Sequence, residues 1–332
     1  MSRIGNLLVM VLLLVGCRGA NPAMPSAESR VPPNLGVRFF TPEGWAWGYV
    51  QTGRWPAQRY GVASTSRVPA AQFVILPGYG ESAEVWFETA RDLVQQGNTV
   101  WILERAGQGG SGRYAKPHDL GYVPSFEPDV SALKALLKVI VRPSPEVPVI
   151  LLGHADGALV ALRAAQTGAR VDGVIASSPR FVPISKVRVA GLDRLPGPGW
   201  RPWSRTGLDG VESKLTHDPV RGGVGLAWQT ANPDLRMSGP SRAWDTALAE
   251  LSRQVMDRAP QSQADTLAIQ GEDASGPTQD FCDRARNCHL VTVVGARPAL
   301  HLEADAWRSP WLAAVNGFIA AKADAARQPH KR

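Results

Sequence analysis

The sequence predicts an α/β fold: a mostly parallel central sheet with helices on both faces and a helical cap insert. Three observations carry the prediction. From residue 37 onward, short runs rich in β-branched and aromatic residues alternate with longer helix-patterned runs, as a parallel sheet covered on both sides requires. Several of the apolar runs end in glycine clusters, including "QFVILPGYG" and "PVILLGHADG", so tight strand-to-helix turns are expected at one edge of the sheet. The alternation breaks between residues 181 and 260 and then resumes. An insert placed there lies over the carboxyl edge of the strands, where ligands sit in open α/β sheets.

Each element follows in order. "MSRIGNLLVMVLLLVGC" carries Arg3, an apolar run from Leu7 to Val15 and then Gly16-Cys17. That run is too short for a stable span and reads as a signal peptide over residues 1–16. Residues 17–36 are rich in Pro, Ser, Ala and Asn without apolar period, and read as a tether. The first core segment is 37–180. "VRFFTPEGWAWGYVQTG" reads as two strands joined by a Pro-Glu-Gly turn, "QFVILPGYG" as a buried strand, and "AEVWFETARDLVQQG" as a helix closed by Gly97. "TVWILE" is a strand, "PDVSALKALLKVIV" a helix, "PVILLG" a strand, Gly157 to Thr167 a helix and "VDGVIASSP" a strand. Residues 181–260 form the cap insert, with "PGPGWRPWSRTG" as irregular chain. Trp200, Trp203, Trp228 and Trp244 there read either as lining for an acyl channel or as cap-to-sheet packing. The second core segment, 261–322, supplies the strands "DTLAIQGED" and "HLVTVVGA" and the helix "WRSPWLAAVNGFIAAKA", and 323–332 is a tail.

Leu14-Val15-Gly16-Cys17 resembles the lipobox of bacterial lipoproteins. The resemblance implies an acylated Cys17 that anchors the chain in a membrane facing the periplasm; a plain secretory signal is the alternative. Arg18, in place of aspartate, points to the outer membrane. In the body of the chain, Leu76-Pro77-Gly78-Tyr79-Gly80-Glu81, Ala106-Gly107-Gln108-Gly109-Gly110-Ser111-Gly112-Arg113 and Gly121-Tyr122-Val123 with Phe126 and Asp129 match family motifs. So do "KLTHDPVR" and "ANPDLRMSGP". Together they resemble the lysophospholipase and monoacylglycerol-lipase-like (serine-aminopeptidase-like) branch of the α/β-hydrolase superfamily, over roughly residues 37 to 320.

In that family the nucleophile lies in G-x-S-x-G on a strained turn. Gly153 and Gly157 stand at the glycine positions, and Ala155 stands where the serine belongs. A methyl group offers no attacking atom. The resemblance puts Asp273 of "IQGED" at the acid position, a solvated turn aspartate being the alternative. It puts Pro298 at the histidine position, with Glu303, Asp305 and Arg308 in register downstream. His301, three residues on, is either a displaced base or a packing histidine. His154 flanks the elbow, and His118, His217, His289 and His330 lie in the wrong segments. The oxyanion hole falls to the backbone amides of Tyr79 and Asp156.

Composition sets further bounds. At 332 residues, 44% hydrophobic and 20% charged, the chain is ordinary globular protein. Its formal charge of +7 suits an anionic lipid surface. There is no basic block interleaved with aromatics, so nucleic acid is not an expected partner. In an oxidising periplasm Cys282 and Cys288 would close a small disulfide loop, with two free thiols or half a metal site as the alternatives. No metal or cofactor is expected. The sequence thus predicts a membrane-anchored pseudohydrolase that binds an acyl lipid, a lysophospholipid or a protein partner. The alternative is an active carboxylic-ester hydrolase (lysophospholipase or esterase) with a non-standard site, using Ser177, Ser178 or a water activated by Asp273. A purely structural envelope lipoprotein is the third reading.

Overall fold

The computed structural model describes residues 28–183, 212–271 and 276–327. The expected leader and tether through residue 27, with Cys17 and Arg18, lie outside the described residues, as do Trp200, Trp203 and Asp273. Among the described residues no helix is long and apolar enough to cross a membrane.

Eight strands form one sheet in the order β1-β2-β4-β3-β5-β6-β7-β8. They are β1 (Ala46–Val50), β2 (Gln58–Ala63), β3 (Gln72–Leu76), β4 (Thr99–Leu103), β5 (Val149–His154), β6 (Gly173–Ser177), β7 (Thr266–Gly271) and β8 (Cys288–Val293). β2 runs antiparallel to β1 and β4, and every other pairing is parallel. β5 is buried along its whole length, which explains why "VILLGH" reads as a continuous apolar run rather than an alternating one. The expected hairpin within residues 37–53 does not form. Val37–Phe39 is a single helical turn that sends Phe39 into a small apolar cluster with Phe87, Val224, Trp228 and Leu235. β1 pairs instead with β2, a strand the local pattern did not announce.

The helices are α1 (Phe87–Gln95), α2 (Glu127–Ala135), α3 (Asp156–Gln166), α4 (Glu212–Leu215), α5 (Pro219–Ala231), α6 (Arg242–Asp257), α7 (Gly276–Arg284) and α8 (Asp305–Arg327). One face of the sheet packs against α2, α3, α6 and α7 through residues such as Leu133, Leu159, Leu248 and Phe281. The other packs against α1 and α8 through Leu93, Trp311 and Val315. α5 starts where the Asp218 side chain accepts from the Val220 and Arg221 amides, and α6 where Ser241 accepts from the Trp244 amide, both ordinary N-caps. Trp228 and Trp244 are fully buried and do not line the cavity described below. Packing is their role. α8 continues to Arg327, so the first residues of the expected tail are helical.

Candidate active site

The strand order brings the turns after β3, β5, β6 and β7 to one edge. At the β5–α3 turn Ala155 adopts φ 49° and ψ −112°, a region that L-residues occupy only under constraint. The constraint is visible. The Ala155 amide donates to the Ser177 carbonyl at 3.1 Å, and its carbonyl accepts from Ala158 and Arg180. A Cβ at Gly153 would lie 2.4 Å from the Ala158 Cα, and one at Gly157 would lie 2.1 Å from the Leu76 carbonyl oxygen. Strand and helix therefore meet backbone to backbone, and the turn between them is held in the elbow geometry. The Ala155 methyl faces a mostly apolar cavity of about 570 Å³ that Tyr79, Glu81, Ser178, Leu226 and Pro298 also line.

The amides of Tyr79 and Asp156 are not spent on backbone partners among the described residues. The Asp156 carboxylate is turned away from them and fully buried: its Oδ2 accepts from the Trp244 indole at 2.9 Å. Arg180 stands 3.6 Å from its Oδ1. The Tyr79 hydroxyl donates to the Ser238 carbonyl, and its ring meets Trp244 edge-on. Two backbone donors thus remain at the elbow, where residue 155 itself carries only a methyl group.

Pro298 lines the cavity with an apolar ring, and its carbonyl accepts from His154 Nε2 at 3.3 Å. His301 lies in the next turn and is only 1% exposed. Its ring stacks face to face on Trp86, 3.8 Å between centroids and 5° between planes. Its Nε2 is 3.4 Å from Glu81 Oε1, and His154 Nδ1 is 2.8 Å from the same oxygen. Burial lowers the His301 pKa to about 4, which the Glu81 carboxylate only partly offsets. For His154 burial also disfavours the cation, but the Glu81 charge outweighs it and raises the pKa. Burial would raise the Glu81 carboxyl; the two imidazoles instead hold it well below the usual carboxylate range. His301 is thus a neutral, packed ring aimed at Glu81, and it does not line the cavity.

The remaining expected residues divide sharply. Ser177 is buried and its Oγ accepts from the Trp311 indole. Ser178 lines the cavity at φ 43°, with a hydroxyl that has no hydrogen-bond partner among the described residues. No serine hydroxyl is hydrogen-bonded to an imidazole among the described residues. Cys282 and Cys288 are joined as a disulfide. Glu81 and Trp86 escaped sequence reasoning as site residues. Glu81 was visible only as the last residue of a glycine-rich loop, and nothing local ties it to histidines on two other loops.

Residues 67–305 match the family model of serine aminopeptidase, S33. The chain belongs to this family. It is 30% identical over 274 residues to lysophospholipase L2 of Escherichia coli strain K12, covering 74% of this chain and 79% of that protein. Among solved structures it resembles a soluble variant of monoglyceride lipase from Saccharomyces cerevisiae, with TM-score 0.70, 15% identity, and coverage of 88% and 99% of the two chains. The monoacylglycerol lipase of Paleococcus ferrophilus superposes with TM-score 0.61 at 17% identity, covering 79% and 98%. This S33 chain has the α/β-hydrolase fold and a lysophospholipase/lipase-like domain.

Proposed function

We propose that the protein is a membrane-tethered pseudohydrolase whose cavity holds an acyl ligand such as the chain of a lysophospholipid. The observation that carries this is the Ala155 methyl, seated at the elbow in the strained geometry that lifts a nucleophile over the sheet. In a serine hydrolase, losing the nucleophile or its base costs roughly 10⁶ in turnover, about 8 kcal/mol. Here position 298 offers no base, and His301 is packed away from the cavity. The mostly apolar cavity, about 570 Å³, is in the range of small-molecule sites. A relative named lysophospholipase L2 supports a single-chain lipid as the ligand class. The lipobox-like Leu14–Cys17 and the net charge of +7 support attachment at an anionic bilayer, in the bacterial outer membrane facing the periplasm.

The full chain in detergent should bind a spin-labelled lysophospholipid without hydrolysing it or p-nitrophenyl esters. Labelled palmitate should enter the chain in cells and be lost with Cys17→Ser. Turnover at enzyme-like rates overturns the impaired reading. One observation favours a rival, an active carboxylic-ester hydrolase: the unpartnered Ser178 hydroxyl on the cavity wall. Turnover abolished by Ser178→Ala would establish it.

A further inference from the structure

We propose that Glu81, His154 and His301, which converge beside the cavity from the loop after β3, the end of β5 and the helical turn after β8, form a binding site for a zinc-class divalent cation. Their donor atoms lie within 4.8 Å of one another. Two imidazoles and one carboxylate are a donor set that suits Zn²⁺ and related first-row ions rather than Mg²⁺ or Ca²⁺. With metal–ligand bonds of about 2.0–2.2 Å, donors on a tetrahedral ion sit roughly 3.4 Å apart. Glu81 Oε1 lies 2.8 Å from His154 Nδ1 and 3.4 Å from His301 Nε2. To share one ion, His154 Nδ1 would draw back slightly from Glu81, and the two imidazole nitrogens, within 4.8 Å of each other, would settle at that spacing.

Three features mark this as a prepared site and not an incidental contact. First, each ligand is already oriented, two of them through their other polar atom, as ligands in metal sites commonly are, and the third by ring stacking. His154 Nε2 faces the Pro298 carbonyl, which can only accept, so that nitrogen carries the proton and Nδ1 is turned to Glu81. Glu81 Oε2 accepts from the Gly78 amide at 2.6 Å and the Trp86 indole at 3.1 Å, leaving Oε1 for the histidines. His301 is clamped by its stack on the same Trp86.

Second, the buried nitrogens lack aligned hydrogen bonds, although two of them stand in charge contact with Glu81. Neither nitrogen of His301 nor Nδ1 of His154 makes an aligned hydrogen bond among the described residues, a costly state for buried polar atoms. A proton shared with Glu81 would need the oxygen on the ring's N–H axis, whereas two ligands of one cation lie off that axis. Third, a second histidine–carboxylate contact among the described residues shows what a site without this need looks like. His217 Nδ1 meets Glu303 Oε1 in an aligned hydrogen bond at 2.8 Å, and the same carboxylate accepts from the His217, Arg297 and Ala304 amides and the Thr216 hydroxyl. Every acceptor there is used.

The test takes the full chain in detergent under non-reducing conditions, strips it with EDTA, and titrates ZnCl₂ by calorimetry. Expected are one Zn²⁺ per chain and no uptake of MgCl₂. Glu81→Gln and His301→Ala should each weaken zinc binding by roughly 100-fold or more, beyond the 10–100-fold typical of losing an outer-shell partner. His217→Ala should leave it unchanged. If either buried variant fails to fold, ¹⁵N ring resonances of the wild type decide: zinc should shift His154 and His301 nitrogens and spare those of His217. No zinc uptake by the wild type, equal response to Mg²⁺, unaltered affinity in folded Glu81→Gln and His301→Ala, or unmoved ring nitrogens would each overturn the proposal. Lipid binding and turnover play no part in the readout, so its failure is separate from failure of the pseudohydrolase reading.

Discussion

Ala155→Gly is expected to stabilise the protein, which is unusual for a glycine introduced at the start of a helix. Ala155 sits at φ 49° and ψ −112°, and a non-glycine residue in such a region carries about 1–3 kcal/mol of strain. Glycine adopts these angles freely and removes it. Against that gain stand about 0.5–1 kcal/mol of extra chain entropy in the unfolded state and the contacts of one methyl. A buried methylene-sized group is worth about 0.8 kcal/mol, and this methyl is only partly covered because it borders the cavity. Taking the middle of each range leaves a net gain of about 1 kcal/mol. For domains of 150–250 residues that shifts Tm by about 2–4 °C, and for this chain the low end is expected. Ala155→Ser has the same backbone cost and should melt with the wild type. Calorimetric melting of the three proteins, side by side, is the assay. If Ala155→Gly melts several degrees below the wild type, the elbow is not strained and the account of a retained but unused turn fails.

Three further outcomes follow from buried groups. Asp129 is fully buried; burial raises its pKa to about 7, against the Arg105 charge and hydrogen bonds from the Ala106 amide and Gln58. Its folded pKa exceeds the ordinary 3.8, so the folded state holds the proton more tightly. Its contribution is therefore greatest below pH 4 and is lost as pH rises to about 7, a change of about 4 kcal/mol. Asp129→Asn should flatten the fall in Tm over that window, and parallel pH profiles of variant and wild type would refute this. Trp244→Phe removes the indole that donates to the buried Asp156 carboxylate, at a cost of about 2 kcal/mol. Adding Asp156→Asn should recover part of it, and strict additivity in a thermal double-mutant cycle would count against the pairing. Reducing Cys282–Cys288, six residues apart, should cost about 2 kcal/mol on loop-closure grounds. Cys282→Ala with Cys288→Ala should then melt like the reduced wild type.

Much of the fold was legible because its signals are local. The buried run "VILLGH" and the glycines at 153 and 157 each act within a turn or a strand of where they stand. Strand β2 was missed because Gln58 and Arg59 are buried polar residues whose partners come from elsewhere: Asp129 for one, Glu84 and Glu104 for the other. Such a strand shows no apolar alternation. The small turn at Val37–Phe39 was missed for a related reason, since Phe39 is drawn into a cluster with residues from α1 and α5.

The sequence by itself determined the chemistry of position 155 and of position 298: a methyl and an imino ring are the same in any conformation. It also determined the elbow's glycines, since a Cβ at either position would lie only 2.1 or 2.4 Å from a neighbouring backbone atom. Tertiary structure alone decided which way the Asp156 carboxylate points, and that His301 turns inward onto Trp86. It alone brought Glu81 between a histidine that ends β5 and another in the turn beyond β8. The reason is physical. Side-chain periodicity and turn preference are fixed over a few residues, whereas convergence of three distant segments depends on the order in which parallel strands pack.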